Sequence, residues 1–80
     1  MNLPPSSLPL EPRPGRYRHY KGPEYRVHFL ARHSETEEPL VVYQLLYGDR
    51  SMWVRPAAMF VETVEHDGRR MPRFTYVAAE

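Results

Sequence analysis

Arg32, His33, Ser34, Glu35 and Thr36 follow one another without a break, and no other stretch of the chain packs polar chemistry so densely. A guanidinium binds phosphate or carboxylate through two parallel hydrogen bonds, and an imidazole and two hydroxyls beside it would complete a loop that grips an anion. The same five residues also make an ordinary hairpin loop, in which Ser34 and Thr36 bond the local backbone and Glu35 pairs with Arg32. Both readings stand on the sequence. A nucleophilic serine does not. Neighbouring residues of an extended chain point to opposite faces, so His33 is poorly placed to activate Ser34, and no nucleophile-elbow motif surrounds it.

Trp53 and Arg55 share parity, hence one face of a strand, and Tyr47 stands across a turn from them. An aromatic wall beside a cation can stack a base or hold a small ring. Against this, the only Trp of so short a chain is usually its largest core anchor. With Arg73, these residues define the expected site: Arg32, His33, Ser34, Tyr47, Trp53, Arg55 and Arg73, taking a small anionic or nucleotide-like ligand. A second reading places RNA or DNA on the basic, tyrosine-interleaved stretch of Arg16, Arg18 and Lys21. Too few charges act together there for tight binding at physiological salt. A third is a protein–protein adaptor working through a sheet edge or the proline-rich leader. His19, His28, His33 and His66 have no metal-ligand spacing, and Glu35, Glu37 and Glu38 lack calcium-loop order. No metal or cofactor is expected, and a non-enzymatic module is favoured over an enzyme.

The elements that must carry these groups are strands. LVVYQLLY, residues 40–47, is apolar on both faces apart from Gln44, too short for a secure helix, and reads as a central strand. Residues 24–32 alternate, with Tyr25, Val27, Phe29 and Ala31 on the expected core face and Leu30 out of pattern. SETEEP joins the two as a hairpin, and residues 48–51 turn into a strand over 52–55. Pro56-Ala57-Ala58-Met59-Phe60 predicts one helical or 3₁₀ turn with Pro pre-set at its start, plugging one end of the fold with Met59 or Phe60. Residues 61–66 and 69–77 predict a last hairpin around Asp67-Gly68, which sets Glu65 opposite Arg70 and Glu62 opposite Arg73. Residues 15–21 supply a first strand. The leader, residues 1–14, holds five prolines and is expected to be disordered. The sum is an all-β fold: a bent antiparallel sheet closing into an SH3-like barrel over residues 15–80.

A chain of 80 residues makes one small domain. It has no Cys, which excludes disulfides, thiolate metal sites and a thiol nucleophile. A net charge of +1 gives no global pull toward nucleic acid or membrane. No apolar run reaches membrane-spanning length. A cytoplasmic monomer or weak dimer is the expectation.

Taken together, GRYRHYKG, Tyr25-Arg26-Val27, ARHSETEEPLVVYQLLYG, WVRPAAMF and Pro72-Arg73-Phe74 resemble a small bacterial family, domain of unknown function 1653 (DUF1653). The resemblance runs from Gly15 to about Val77. Its motif residues fall on His19, Lys21, Gly22, Arg32, His33, Ser34, Tyr43, Tyr47, Trp53, Arg55, Pro56, Phe60 and Arg73. It implies a compact β domain, free-standing or appended, and carries no assigned chemistry.

Overall fold

The structure, a computed structural model, describes residues 11–79. Seven strands and one helical turn follow in the order β1 (Gly15–His19), β2 (Glu24–Arg32), β3 (Pro39–Leu45), β4 (Met52–Pro56), α1 (Ala57–Phe60), β5 (Thr63–His66), β6 (Arg69–Pro72) and β7 (Phe74–Ala78). Five form one sheet in the order β4-β3-β2-β1-β7, and β5 pairs with β6 alone. All pairings are antiparallel; short connections require this of the pairs that follow one another along the chain, and β1 with β7 is the one long-range pair among the described residues.

One irregularity decides which residues reach the core. Val27 pairs with Tyr43, but Phe29 pairs with Val42, so His28 is an extra residue inserted into β2. A bulge of this kind reverses the parity of everything beyond it. Leu30 therefore packs against the core, and Phe29, expected inside, is 54% exposed. On β3 the alternation runs as expected: Val41 and Tyr43 are buried and Leu45 packs against them. Leu40, Val42 and Leu46 on its other side are only half covered. Thus β3 is interior in its pairing without being buried on both faces.

The core consists of Tyr17, Val27, Val41, Tyr43, Ala57, Phe60 and Phe74. Pro56, at φ −55° and ψ 134°, directs the chain from β4 into α1, whose Ala57 and Phe60 are buried. Of the two residues expected as the plug, Phe60 is 1% exposed and Met59 remains outside at 42%. The Phe60 ring stacks on Phe74 at 4.0 Å and meets Tyr17 edge-on at 5.4 Å. At the other side of the sheet Gly15 is a necessity. A Cβ there would lie 2.7 Å from the Ala78 carbonyl and 2.8 Å from the Tyr76 ring, at a φ of +145°.

The β5–β6 hairpin turns at Asp67 and Gly68 with φ of 54° and 75°, the two positive values of a type I′ turn. Glu65 lies opposite Arg70 as expected, and Arg73 Nη2 reaches Glu62 Oε1 at 3.3 Å. The strand expected over 69–77 is in fact two. Arg73 separates β6 from β7: its N–H bonds Glu62 O at 2.9 Å, within the hairpin, and its carbonyl accepts from Tyr20 N at 3.0 Å, within the main sheet. No closed barrel is found among the described residues, because β4 and β7 are both edges and share no ladder. Of the expected disordered leader, residues 1–10 lie outside the described residues. Residues 11–14 pack on the sheet. Pro12 is buried, Arg13 lies 3.9 Å above the Tyr76 ring, and the Arg13 carbonyl accepts the Tyr17 hydroxyl at 2.8 Å.

Candidate functional site

Alternation places His19 at the end of β1, and the tight turn to Pro23 locks it there. His19 N–H donates to Pro23 O at 2.8 Å and Gly22 N–H to His19 O at 2.8 Å. Lys21 N–H donates to His19 Nδ1 at 3.1 Å, which leaves a neutral imidazole with its proton on Nε2. The ring sits among Tyr20 at 4.6 Å, Phe74 at 5.0 Å and Tyr25 at 6.4 Å. Tyr25 in turn meets Tyr43, Tyr47 and Phe74 edge-on at 5.6, 5.6 and 5.5 Å, and its hydroxyl bonds that of Tyr47 at 2.9 Å. Burial, and then that bond, push the Tyr25 phenol above its ordinary range.

Arg55 stands opposite Val41 on β4, with its guanidinium 5.8 Å from the Phe74 ring centre. Although half-buried, its side chain makes no salt bridge or hydrogen bond with any described residue. The charges around His19 are of its own sign. Burial first, then Arg73, Lys21 and Arg55, hold its imidazole below the ordinary 6.5. Arg73 gives one nitrogen to Glu62, while its Nε is buried without a partner. The arrangement is thus a set of cations, short of carboxylates, against rings and two linked phenols. Beside it lies a hollow of about 210 Å³ whose lining includes Arg18, His19, Tyr20, Gly22, Met71 and Pro72. Among the described residues no group of three His, Asp or Glu is placed to hold a metal ion, and no helix is long and apolar enough to cross a membrane.

The family model of a protein of unknown function, DUF1653, matches residues 15–76. The chain belongs to the DUF1653 family. A crystal structure of a DUF1653 protein from Bordetella bronchiseptica is similar at 43% identity and a TM-score of 0.80, over 88% of this chain and 92% of that one. No curated protein matches the chain.

Of the residues expected to form the site, this DUF1653 domain brings Arg55, Arg73 and Tyr47 to the neighbourhood of His19 and Tyr25. Arg32, His33 and Ser34 lie at the end of β2 away from Tyr25, seven residues or about 23 Å along an extended strand, and two register positions from Arg55 across β3. Their loop is closed on itself. Arg32 Nη1 donates to Glu37 O at 2.7 Å, and His33 Nδ1 accepts from Glu35 N and Thr36 N at 3.1 and 3.3 Å. Glu38 N donates to Thr36 Oγ1 at 3.2 Å. Of the local reading, the Thr36 hydroxyl bond to the backbone is present. Trp53 is no core anchor: it is 54% exposed and donates its indole N–H to Ser51 Oγ at 2.8 Å. In the basic stretch, Arg16 and Arg18 both bind Glu24 at 2.9 Å, while Lys21 is exposed with its ammonium 5.7 Å from the Tyr20 ring.

His19, Tyr25 and Phe74 were not among the expected site residues. The signal for Tyr25 was its place on the core face of β2. For His19 it was a polar ring between Tyr17 and Tyr20 just before a Gly-Pro turn, where a strand ends and its last side chain is held fast.

Proposed function

We propose that this DUF1653 domain is a non-enzymatic binding module for a small anion with a planar part, such as a nucleotide. In this reading the scaffold is an SH3-like sheet left open between β4 and β7, with Phe60 filling its concave side. Arg55 and Arg73 take the charge, His19 lends a ring nitrogen, and Tyr25 and Tyr47 offer hydroxyls and aromatic surface. The observation that carries the reading is Arg55. A guanidinium partly withdrawn from water costs free energy unless an opposite charge answers it. Here Arg55 has only a ring beside it and further cations around it. An incoming anion would supply the missing partner.

The test is amide NMR of the whole chain during addition of inorganic phosphate, a nucleoside monophosphate, a sugar phosphate and a short single-stranded RNA. Shifts centred on His19, Tyr25, Tyr47, Arg55 and Phe74 with a phosphorylated small molecule, lost in Arg55→Ala at unchanged thermal stability, support the module. A spectrum silent to every small anion removes it. Shifts confined to Arg16, Arg18 and Lys21 with RNA alone put the nucleic-acid reading in its place.

A further inference from the structure

β4 leaves one edge bare, and two hydrogen bonds fix what that edge offers. Leu45 N–H donates to Ser51 O at 3.0 Å, toward β4, whereas Leu46 N–H donates to Glu24 O at 3.1 Å, toward β2. Odd residues of β3 therefore turn their backbone to β4 and even ones to β2. In the matching register, Trp53 pairs with Tyr43 and Arg55 with Val41, so these two spend their backbone groups on β3. The N–H and C=O of Met52 and Val54 and the C=O of Pro56 then point away from the sheet. No described strand pairs with them.

The edge is short, ends in Pro56 and turns Arg55 inward, all usual guards of an open edge, yet Met52, Trp53 and Val54 are 50%, 54% and 59% exposed and contiguous. On the outer face Phe29, Val42 and Val54 stand in one row across three strands, and Val42, Met52, Trp53 and Val54 line a shallow hollow. These residues leave an apolar edge and an apolar face unpartnered.

We propose that two copies of this chain pair antiparallel through β4 across a twofold axis at Val54. The strand is self-complementary in that register. Val54 and the partner's Val54 exchange both backbone bonds, and Met52 N–H meets the C=O of the partner's Pro56. Pro56 has no N–H to give, so the ladder ends there. Trp53 then stands directly opposite the partner's Arg55 in the non-hydrogen-bonded position, where side chains approach most closely. An indole face is a fitting neighbour for a guanidinium that meets no carboxylate among the described residues. This match between Trp53 and Arg55 is what commits the edge to a second copy over a foreign strand. The contact is isologous, as a closed dimer requires, and it extends the row Phe29–Val42–Val54 into its mirror on the partner. The pairing does not rest on the anion-binding reading, although it would place the partner's Trp53 beside Arg55.

The experiment is sedimentation of the full chain from low micromolar to near-millimolar concentration, with emission of Trp53, the chain's one Trp, followed on dilution. A dimer that dissociates on dilution with a red shift of Trp53 is expected. Val54→Pro deletes an N–H that serves no strand of its own sheet, so it should leave the fold intact and weaken the dimer at least about tenfold. Should that variant fail to fold, Val54→Lys sets like charges across the axis and should give a folded monomer. A wild-type chain that stays monomeric at the highest concentration overturns the proposal. So does a dimer as tight in a folded Val54 variant as in the wild type.

Discussion

The Arg55 guanidinium and the Phe74 ring centre are 5.8 Å apart, and the same ring stacks on Phe60 at 4.0 Å in the core. Phe74 thus belongs to the candidate site and to the core together, whereas Arg55 belongs to the site alone. Substituting them should separate binding from stability. Arg55→Ala should weaken a nucleoside monophosphate by roughly 1.5–3 kcal/mol, the worth of a charged hydrogen bond, and leave the melting temperature in place. Phe74→Ala should cost about 3–5 kcal/mol of folding, close to the whole stability of so small a domain. Calorimetric titration and thermal melting of both variants check the contrast.

His19 should report the anion directly. Its imidazole sits below its ordinary value through burial and through the charges of Arg73, Lys21 and Arg55. An anion set among those cations favours the imidazolium, so the His19 value should rise when sulfate binds. By linkage, sulfate should then bind more tightly as pH falls. The same depression acts on folding. Below about pH 6.5 the unfolded chain takes up the proton first, so stability should fall there until the depressed folded value is passed. Ring-proton NMR titrations with and without sulfate, together with melts from pH 7 to pH 5, measure both effects. A His19 titration indifferent to sulfate would remove the ring from the site.

Much of this fold is legible from local rules. The Asp67-Gly68 turn, the Glu65–Arg70 and Glu62–Arg73 pairings, the buried face of β3 and the Phe60 plug all follow from turn chemistry and period-two alternation. The failures share one cause: they depend on events that leave no local mark. Phe29 has the parity of Val27, but the extra residue at His28 turns it outward, and only the registration of β2 against β3 reveals this. Trp53 lies exposed because β4 is an edge with no described strand beyond it, a property of strand order and not of its own neighbours. Arg32 and Arg55 lie at one end of the sheet, two register positions apart across β3, and Arg32 Nη1 is taken up by Glu37 O, a contact that residue type alone does not announce.

Val27 and Phe29 make that lesson measurable. Both are apolar and share parity, yet Val27 is 1% exposed and Phe29 54%. Val27→Ala should cost about 2 kcal/mol, the transfer of two methyl groups plus the cavity they leave. Phe29→Ser, on the half-covered outer face, should change stability by no more than about 0.5 kcal/mol. Urea denaturation of the two variants decides whether the bulge at His28 is present in solution, since an unbulged strand would reverse their order.

Tyr17 provides the alkaline counterpart of His19. Its phenol, 5% exposed, is pushed up to about 12 by burial and then by Glu11, and it donates to the Arg13 carbonyl at 2.8 Å. A raised phenol stays neutral in the folded chain after the unfolded chain has begun to ionise near pH 10. The stability it contributes is therefore full below about pH 10 and lost as pH rises toward 12. Tyr17→Phe removes one bond, at about 1 kcal/mol near neutrality, and also removes a proton that the unfolded state would release. Its melting temperature should accordingly begin lower than the wild type's at pH 8 and fall less steeply above pH 10. Parallel slopes for the two proteins would mean that Tyr17 ionises as freely in the fold as outside it, and that residues 11–14 do not seal it from water.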